Sequence, residues 1–224
     1  MSSRKYKKSL EKIPEGRVDI DKAVEILKEF EKAGFDMTVE LVMCLGIDPA
    51  QADQCLRDSI ALPNGIGKTK RVIAFCPEDQ VEAALNAGAV EAGGDELISK
   101  VQDGWMDFDV ALAHPSMMKS VSRLGKTLGP SGLMPSPKAG TVTDDIDNAV
   151  REFSAGKFEY RNDDGGNIHL PVGKMNFENG KLVENIRFFI DHIKKKKPSG
   201  TRGLYIKKAC ISGTMTPSIE LNVS

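Results

Sequence analysis

The 224-residue chain is 40% hydrophobic and 28% charged, an ordinary globular composition with enough length to bury a core in one or two domains. No apolar run approaches a membrane span, and the N-terminal MSSRKYKKSLEK lacks the apolar centre of a secretory signal, so the cytoplasm is the expected compartment. The net charge of −1 hides an internal polarity. Residues 1–66 carry 10 Lys and Arg against 12 Asp and Glu, and residues 157–224 carry 12 against 7, together +3; residues 67–156 carry 9 against 13, or −4. A local basic face matters more than the total for a polyanionic partner.

Residues 4–12 read as a basic, poorly patterned arm (Arg4, Lys5, Lys7, Lys8, Lys12). Asp19 or Asp21 can cap a first helix, whose Ile20, Ala23, Val24, Leu27 and Phe30 follow helical spacing, and Gly34 suits its end. Over Phe35–Leu45 the period drops to two: Met37, Val39, Leu41, Met43 and Leu45 alternate with Asp36, Thr38 and Glu40, a half-buried strand packed on that helix. A short helix is expected from Asp48 to Leu56, and LPNGIGK (Leu62–Lys68) is turn-rich enough for a linker.

From Arg71 strands and helices alternate. Arg71–Cys76 is a short apolar strand; Pro77 opens a helix bearing Val81, Ala84 and Leu85, closed by Gly88. A brief strand near Val90, a helix over Asp95–Gln102, a strand over Asp109–Ala113 and a helix over Ser116–Leu124 follow. After a loop, Thr143 caps a helix carrying Ile146, Ala149, Val150 and Phe153 that stops at Gly156. Such repetition implies a parallel sheet covered by helices. Beyond Gly156 the pattern reverts: strands over Lys157–Arg161 and Asn167–Val172 flank an Asp163–Gly166 turn. A helix lined by Leu182, Ile186, Phe189, Ile190 and Ile193 ends in Lys194–Lys197 and Pro198, and Thr201–Val223 reads as strand. The two ends share one grammar and the middle another, which a domain inserted into a host domain explains.

Catalytic and cofactor signals are weak. Cys44, Cys55, Cys76 and Cys210 form no C-x-x-C pair, and Cys44 and Cys76 read as small buried hydrophobes. The three histidines complete no metal-ligand spacing, and His114 and His169 have no evident serine or cysteine partner. Gly67-Lys68-Thr69 and Gly125-Lys126-Thr127 lack the preceding glycine of a phosphate loop, since Leu62 and Ser120 stand there. No G-x-G-x-x-G follows the first middle strand. Asp144 and Asp145 are accounted for by capping, and Trp105, just before apolar Met106 and Phe108, reads as core. No cofactor or metal is expected.

The stretch Arg123–Val142 (RLGKTLGPSGLMPSPKAGTV) packs four glycines and three prolines into twenty residues, a density at which no helix or central strand is expected. Its LGPSGLMPSPKAGTV run resembles the signature of the ribosomal protein L-one family, the mobile-stalk protein of the large ribosomal subunit. The similarity extends through GWMDFD (Gly104–Asp109), LGIDP (Leu45–Pro49), YRND (Tyr160–Asp163) and TMTPS (Thr214–Ser218), and so covers essentially the whole chain. The resemblance implies an α+β split domain built from both termini (1–66 plus 157–224) and an inserted Rossmann-like, three-layer α/β domain (67–156) that swings on two linkers.

It also implies an RNA-binding site: Phe35, Asp36, Thr38 and Glu40 from the first strand; Lys157, Glu159, Arg161, Asp163, His169 and Lys174 from the middle hairpin; Thr214, Met215 and Ser218 from the last strand. Arg and Lys suit phosphates, while hydroxyls and carboxylates reach 2′-hydroxyls and base edges, as shaped RNA requires. A competing reading places Phe35 and Met215 in the core, because Phe35 shares strand parity with Met37 and Val39. Gly34 stands where the family usually has a basic residue, and Thr216 where it usually has glycine. The implied function is a non-enzymatic constituent of the cytoplasmic ribosome that binds the stalk region of 23S ribosomal RNA, helps release deacylated tRNA from the exit site and represses translation of its own operon mRNA. Off the ribosome a monomer is expected. The alternative is an α/β enzyme or nucleotide-binding protein using the inserted domain; missing phosphate-loop glycines and positively charged ends favour RNA.

Overall fold

A computed structural model describes residues 4–31, 33–51, 53–201 and 203–223. In chain order these form α1 (Arg4–Leu10), α2 (Ile20–Lys28), β1 (Thr38–Leu45), β2 (Arg57–Ile60), β3 (Val72–Phe75), α3 (Glu78–Asn86), β4 (Glu91–Gly93), α4 (Asp95–Gln102) and β5 (Val110–Ala113). Then follow α5 (Met118–Val121), α6 (Gly125–Leu128), α7 (Ile146–Ser154), β6 (Phe158–Arg161), β7 (Asn167–Lys174), α8 (Asn179–Lys195), β8 (Ile206–Gly213) and β9 (Ile219–Glu220). The chain divides into two compact units, Met1–Leu56 with Leu62–Gly67 and Tyr160–Ser224, and Arg57–Ala61 with Lys68–Glu159. Among the described residues no helix is long and apolar enough to cross a membrane.

The first unit is an antiparallel sheet of order β7-β1-β8-β9. β1 buries Val39, Leu41, Met43 and Leu45 and turns Thr38, Glu40, Val42 and Cys44 to the other face. The buried face meets α2, through Ala23, Val24 and Leu27, and α8, through Leu182, Ile186, Phe189, Ile190 and Ile193. Val18 bridges Leu221 in parallel, so early and late chain share one sheet. Asn185, fully buried on α8, donates to the carbonyls of Gly65 (3.0 Å) and Val172 (2.8 Å) and accepts the N–H of Asn64 (3.2 Å). Those bonds fasten residues 62–67 to the helix, because an amide buried without partners would cost about 1–3 kcal/mol.

The second unit holds a parallel sheet of order β4-β3-β5. β3 and β5 are buried along their whole length, as expected of strands covered on both faces. One face packs Val72, Ala74, Val110 and Leu112 against Ala84 of α3 and Ile146, Val150 and Phe153 of α7. The other packs Ile73, Phe75 and Ala111 against Leu97, Ile98 and Val101 of α4 and Leu124 and Leu128.

Several local expectations fail. The basic arm is helical over Arg4–Leu10, and beyond it Lys12 Nζ donates to Glu29 O (3.0 Å) while Lys8 pairs with Glu31 (3.4 Å); the side chain of Lys5 lies outside the described residues. Helix α2 stops at Lys28, capped by Glu29, well before Gly34. Around 48–56 there are turns rather than a helix, with Ala52 outside the described residues, and the unforeseen β2 follows. The Gly/Pro stretch is not free of helix: α6 lies inside it, and a 3-10 turn runs from Pro137 to Ala139. Proline at a first helical position loses no bond, which permits the latter. The expected helix over Ser116–Leu124 is broken into 3-10 and α turns. Asp145, not Thr143, caps α7 by accepting the Asn148 N–H (3.2 Å). Cys76 is buried, but Cys44 is only partly so. Trp105 is partly buried against its cluster, under Lys100 Nζ at 4.3 Å. The expected Thr201–Val223 strand is β8 and β9 separated by a turn, and Arg202 lies outside the described residues.

Candidate nucleic-acid interface

β1 begins where β7 and β8 finish, and Thr38 sits at that junction. Thr38 lies opposite Lys174, whose Nζ donates to its Oγ1 (2.8 Å). On the other side Thr38 N–H donates to Thr214 Oγ1 (3.1 Å), and Thr214 N–H donates to Thr38 O (3.1 Å). The register slips between Val39 and Glu40 beside Gly173, whose φ of +154° and closeness to Leu182 and Phe177 leave no room for a Cβ. That bulge sets Lys174 level with Thr38. Three strands thus converge on one ammonium and two hydroxyls.

Around this centre the surface is unusually apolar for loop tips. Phe35 is 51% exposed and Met215 66% exposed, which overturns the core reading of both. Met37 takes the buried position instead, and its carbonyl accepts the N–H of Met175 (2.9 Å). Asp36 and Ser218 are exposed. Thr216 holds the turn after β8, its Oγ1 accepting the Gly213 N–H (2.7 Å), so the departure from glycine is used structurally. At Gly34 a Cβ would meet nothing within 4 Å. Glu40 is exposed on the open face of the sheet, level with Pro171 and Ser212.

The remaining expected residues lie elsewhere. At about 3.4 Å per residue, the far end of β7 is roughly 20 Å from Lys174. There Asp163 Oδ1 accepts the N–H groups of Gly165 (2.9 Å) and Asn167 (2.7 Å), and Asp163 Oδ2 lies 3.5 Å from His169 Nε2. The backbone bond from Asn167 leads the causes that pull this carboxyl down to about 2. Arg161 and His169 are exposed. Lys157 and Glu159 fall in the second unit: Lys157 pairs with Glu152 (2.7 Å) and Glu159 with Arg57. Hydrogen bonds therefore join Thr38, Lys174 and Thr214, with Phe35, Asp36 and Met215 beside them in the chain, while Lys157 and Glu159 belong to the other unit.

Two basic residues outside the expected set meet on one acid. Lys208 stands on the open face opposite Cys44, and Arg17 joins it on Glu220, at 3.1 and 3.0 Å. The Lys208 bond chiefly lowers the Glu220 pKa, and the same bond raises that of Lys208. Strand parity with Cys210 and Ser212 was the available signal for Lys208; nothing local marks Arg17. A correction also applies to His114, whose Nδ1 lies 2.6 Å from Ser116 Oγ while Nε2 lies 3.6 Å from Asp144 Oδ1. Nδ1 accepts the Ser116 N–H as well (3.3 Å), so this histidine caps a turn. Among the described residues no group of three metal-ligating side chains comes together.

Comparison with known proteins gives a match over residues 27–217 to the family described as Ribosomal protein L1p/L10e. The chain is 47% identical over 222 residues, 99% of its length, to the large ribosomal subunit protein uL1 of Limosilactobacillus fermentum, of which the match covers 96%.

Proposed function

The chain belongs to the ribosomal protein L1p/L10e family, and from that premise we propose that the sheet end around Thr38 grips the stalk region of 23S ribosomal RNA. The protein is a structural constituent of the large ribosomal subunit in the cytoplasm and not an enzyme, a conclusion that rests on family membership. The reading that used the middle of the chain as a nucleotide site or active site is set aside on the same ground.

The observation that carries the RNA reading is the pair of exposed apolar side chains, Phe35 and Met215, flanking Lys174 and the Thr38–Thr214 hydroxyls. Each group has a distinct task. Lys174 at this end and Arg161 a strand's length away meet phosphates; the hydroxyls and Glu40 reach 2′-hydroxyls and base edges; the Phe35 ring offers a face to a base or sugar. With the RNA held there, the protein helps release deacylated tRNA from the exit site and, by binding a similar fold in its own mRNA, represses its own translation. Off the ribosome it is a monomer.

The test is affinity for a stalk-like RNA and for an unrelated RNA across several salt concentrations. Lys174→Ala and Arg161→Ala should weaken binding to both and lower the salt slope by about one unit each. Thr214→Val should leave the slope alone and reduce discrimination, at about 0.5–1.5 kcal/mol for the lost hydrogen bond. Equal affinity for the two RNAs at every salt concentration would refute the site.

A further inference from the structure

The three-stranded sheet of the second unit has two edges, and they are treated differently. The outer edge of β5 is covered: Ala113 bridges Val142 in parallel, its N–H donating to Thr141 O (2.9 Å) and its carbonyl accepting the Thr143 N–H (3.2 Å). The outer edge of β4 has no strand beside it among the described residues. On its inner side the segment bonds to β3, Val90 N–H donating to Val72 O (2.8 Å) and Gly93 O accepting from Cys76 N–H (3.2 Å).

Along this open edge lies a groove of about 570 Å³ between α3 and α4, walled by Val81, Leu85 and Val90. Leu85 is 45% exposed and Val90 49%. Its rim carries Glu78, Asp95 and Glu96, none of which has an ion pair among the described residues, while Glu91 is met by Lys100. Position at helix N-termini accounts for the three acids as dipole partners. It does not account for two large apolar side chains left beside unpaired strand backbone, an arrangement that proteins ordinarily blunt or cover.

We propose that this groove docks a basic protein segment, added as a fourth strand along β4. Backbone pairing supplies affinity, and alternation of side chains lets apolar ones cover Leu85 and Val90 while lysines or arginines meet Glu78, Asp95 and Glu96. The sign of the rim excludes nucleic acid, and the −4 of residues 67–156 steers a cationic partner to it. The surface belongs to the second unit and stands independently of the RNA site.

The experiment titrates the nitrogen-15-labelled full chain with a short synthetic peptide alternating lysine and valine around one leucine. Saturable binding is expected, with amide shifts concentrated on Leu85 and Val90–Gly94. N-methylation of alternate peptide nitrogens should abolish it, because the added strand can no longer pair. Leu85→Ser and Glu96→Lys should each weaken it, by up to about tenfold, the first by removing the apolar surface that the peptide covers and the second by turning an attractive charge into a repulsive one; unchanged melting curves confirm that the variants fold. Absence of saturable binding overturns the proposal. So does binding that survives N-methylation, ignores Leu85→Ser and spreads its shifts over every acidic surface, which is general charge attraction.

Discussion

Phe35 and Met215 are the residues at which the fold and the site make opposite demands. A buried phenylalanine truncated to alanine would cost about 3–5 kcal/mol of stability, but Phe35 is exposed. Phe35→Ala should therefore melt within about 0.5 kcal/mol of the parent while losing about 1–3 kcal/mol of affinity for stalk RNA. Thermal melts and filter binding on one preparation check both halves; a large drop in melting temperature would return the ring to the core. Gly34 supports the opposite kind of change. A Cβ there meets nothing within 4 Å and no positive φ is required, so Gly34→Arg should fold normally. It should tighten RNA binding and steepen the salt slope by about one unit. An unchanged slope would mean that position 34 does not face the phosphates.

At the scale of elements, the turn between β6 and β7 is organised by one carboxylate. Asp163 accepts the backbone N–H and side-chain amide of Asn167 and, more weakly in effect, the backbone N–H of Gly165, and these bonds hold its pKa at about 2 against an ordinary 3.8. Because the folded value is the lower one, its contribution to stability is complete above the ordinary value and is lost as pH falls through about 2. Asp163→Asn should remove that dependence, so urea midpoints of the parent and variant should converge as pH drops across this window. Midpoints that stay parallel would show that the turn does not couple to the charge. Amphipathic elements were legible from period alone: α8 buries the apolar residues that its spacing marks, and β1 buries its odd-numbered set. β2 was not, since RDSI carries no alternation and becomes a strand by pairing with β6. Nor was α1, a short run of basic residues without an apolar stripe.

For the whole molecule, strand order carries the consequence. β1, from the first part of the chain, lies between β7 and β8, from the last part, so neither end can complete this sheet without the other. Residues 1–66 joined directly to 157–224 should fold and bind stalk RNA within about tenfold of the full chain, or about 1.4 kcal/mol. Circular dichroism establishes folding and the same RNA titration establishes binding. A folded protein that binds no better than an unrelated acidic one would move the site to the middle of the chain.

Periodicity, breaker residues and one long motif determined from sequence which segments are amphipathic and which family the chain resembles, because those properties depend on neighbours a few positions apart. Exposure at the ends of elements needed the tertiary structure. Strand parity placed Phe35 with Met37 and Val39, yet backbone pairing extends only back to Met37, whose carbonyl bonds Met175 N–H, and beyond it parity no longer sets exposure. Which of thirteen expected RNA contacts share a surface was likewise decided by register: the bulge beside Gly173 brings Lys174 level with Thr38, while Asp163 and His169 stay a strand's length away. Register is set by hydrogen bonds between distant segments, and no window of sequence contains both partners.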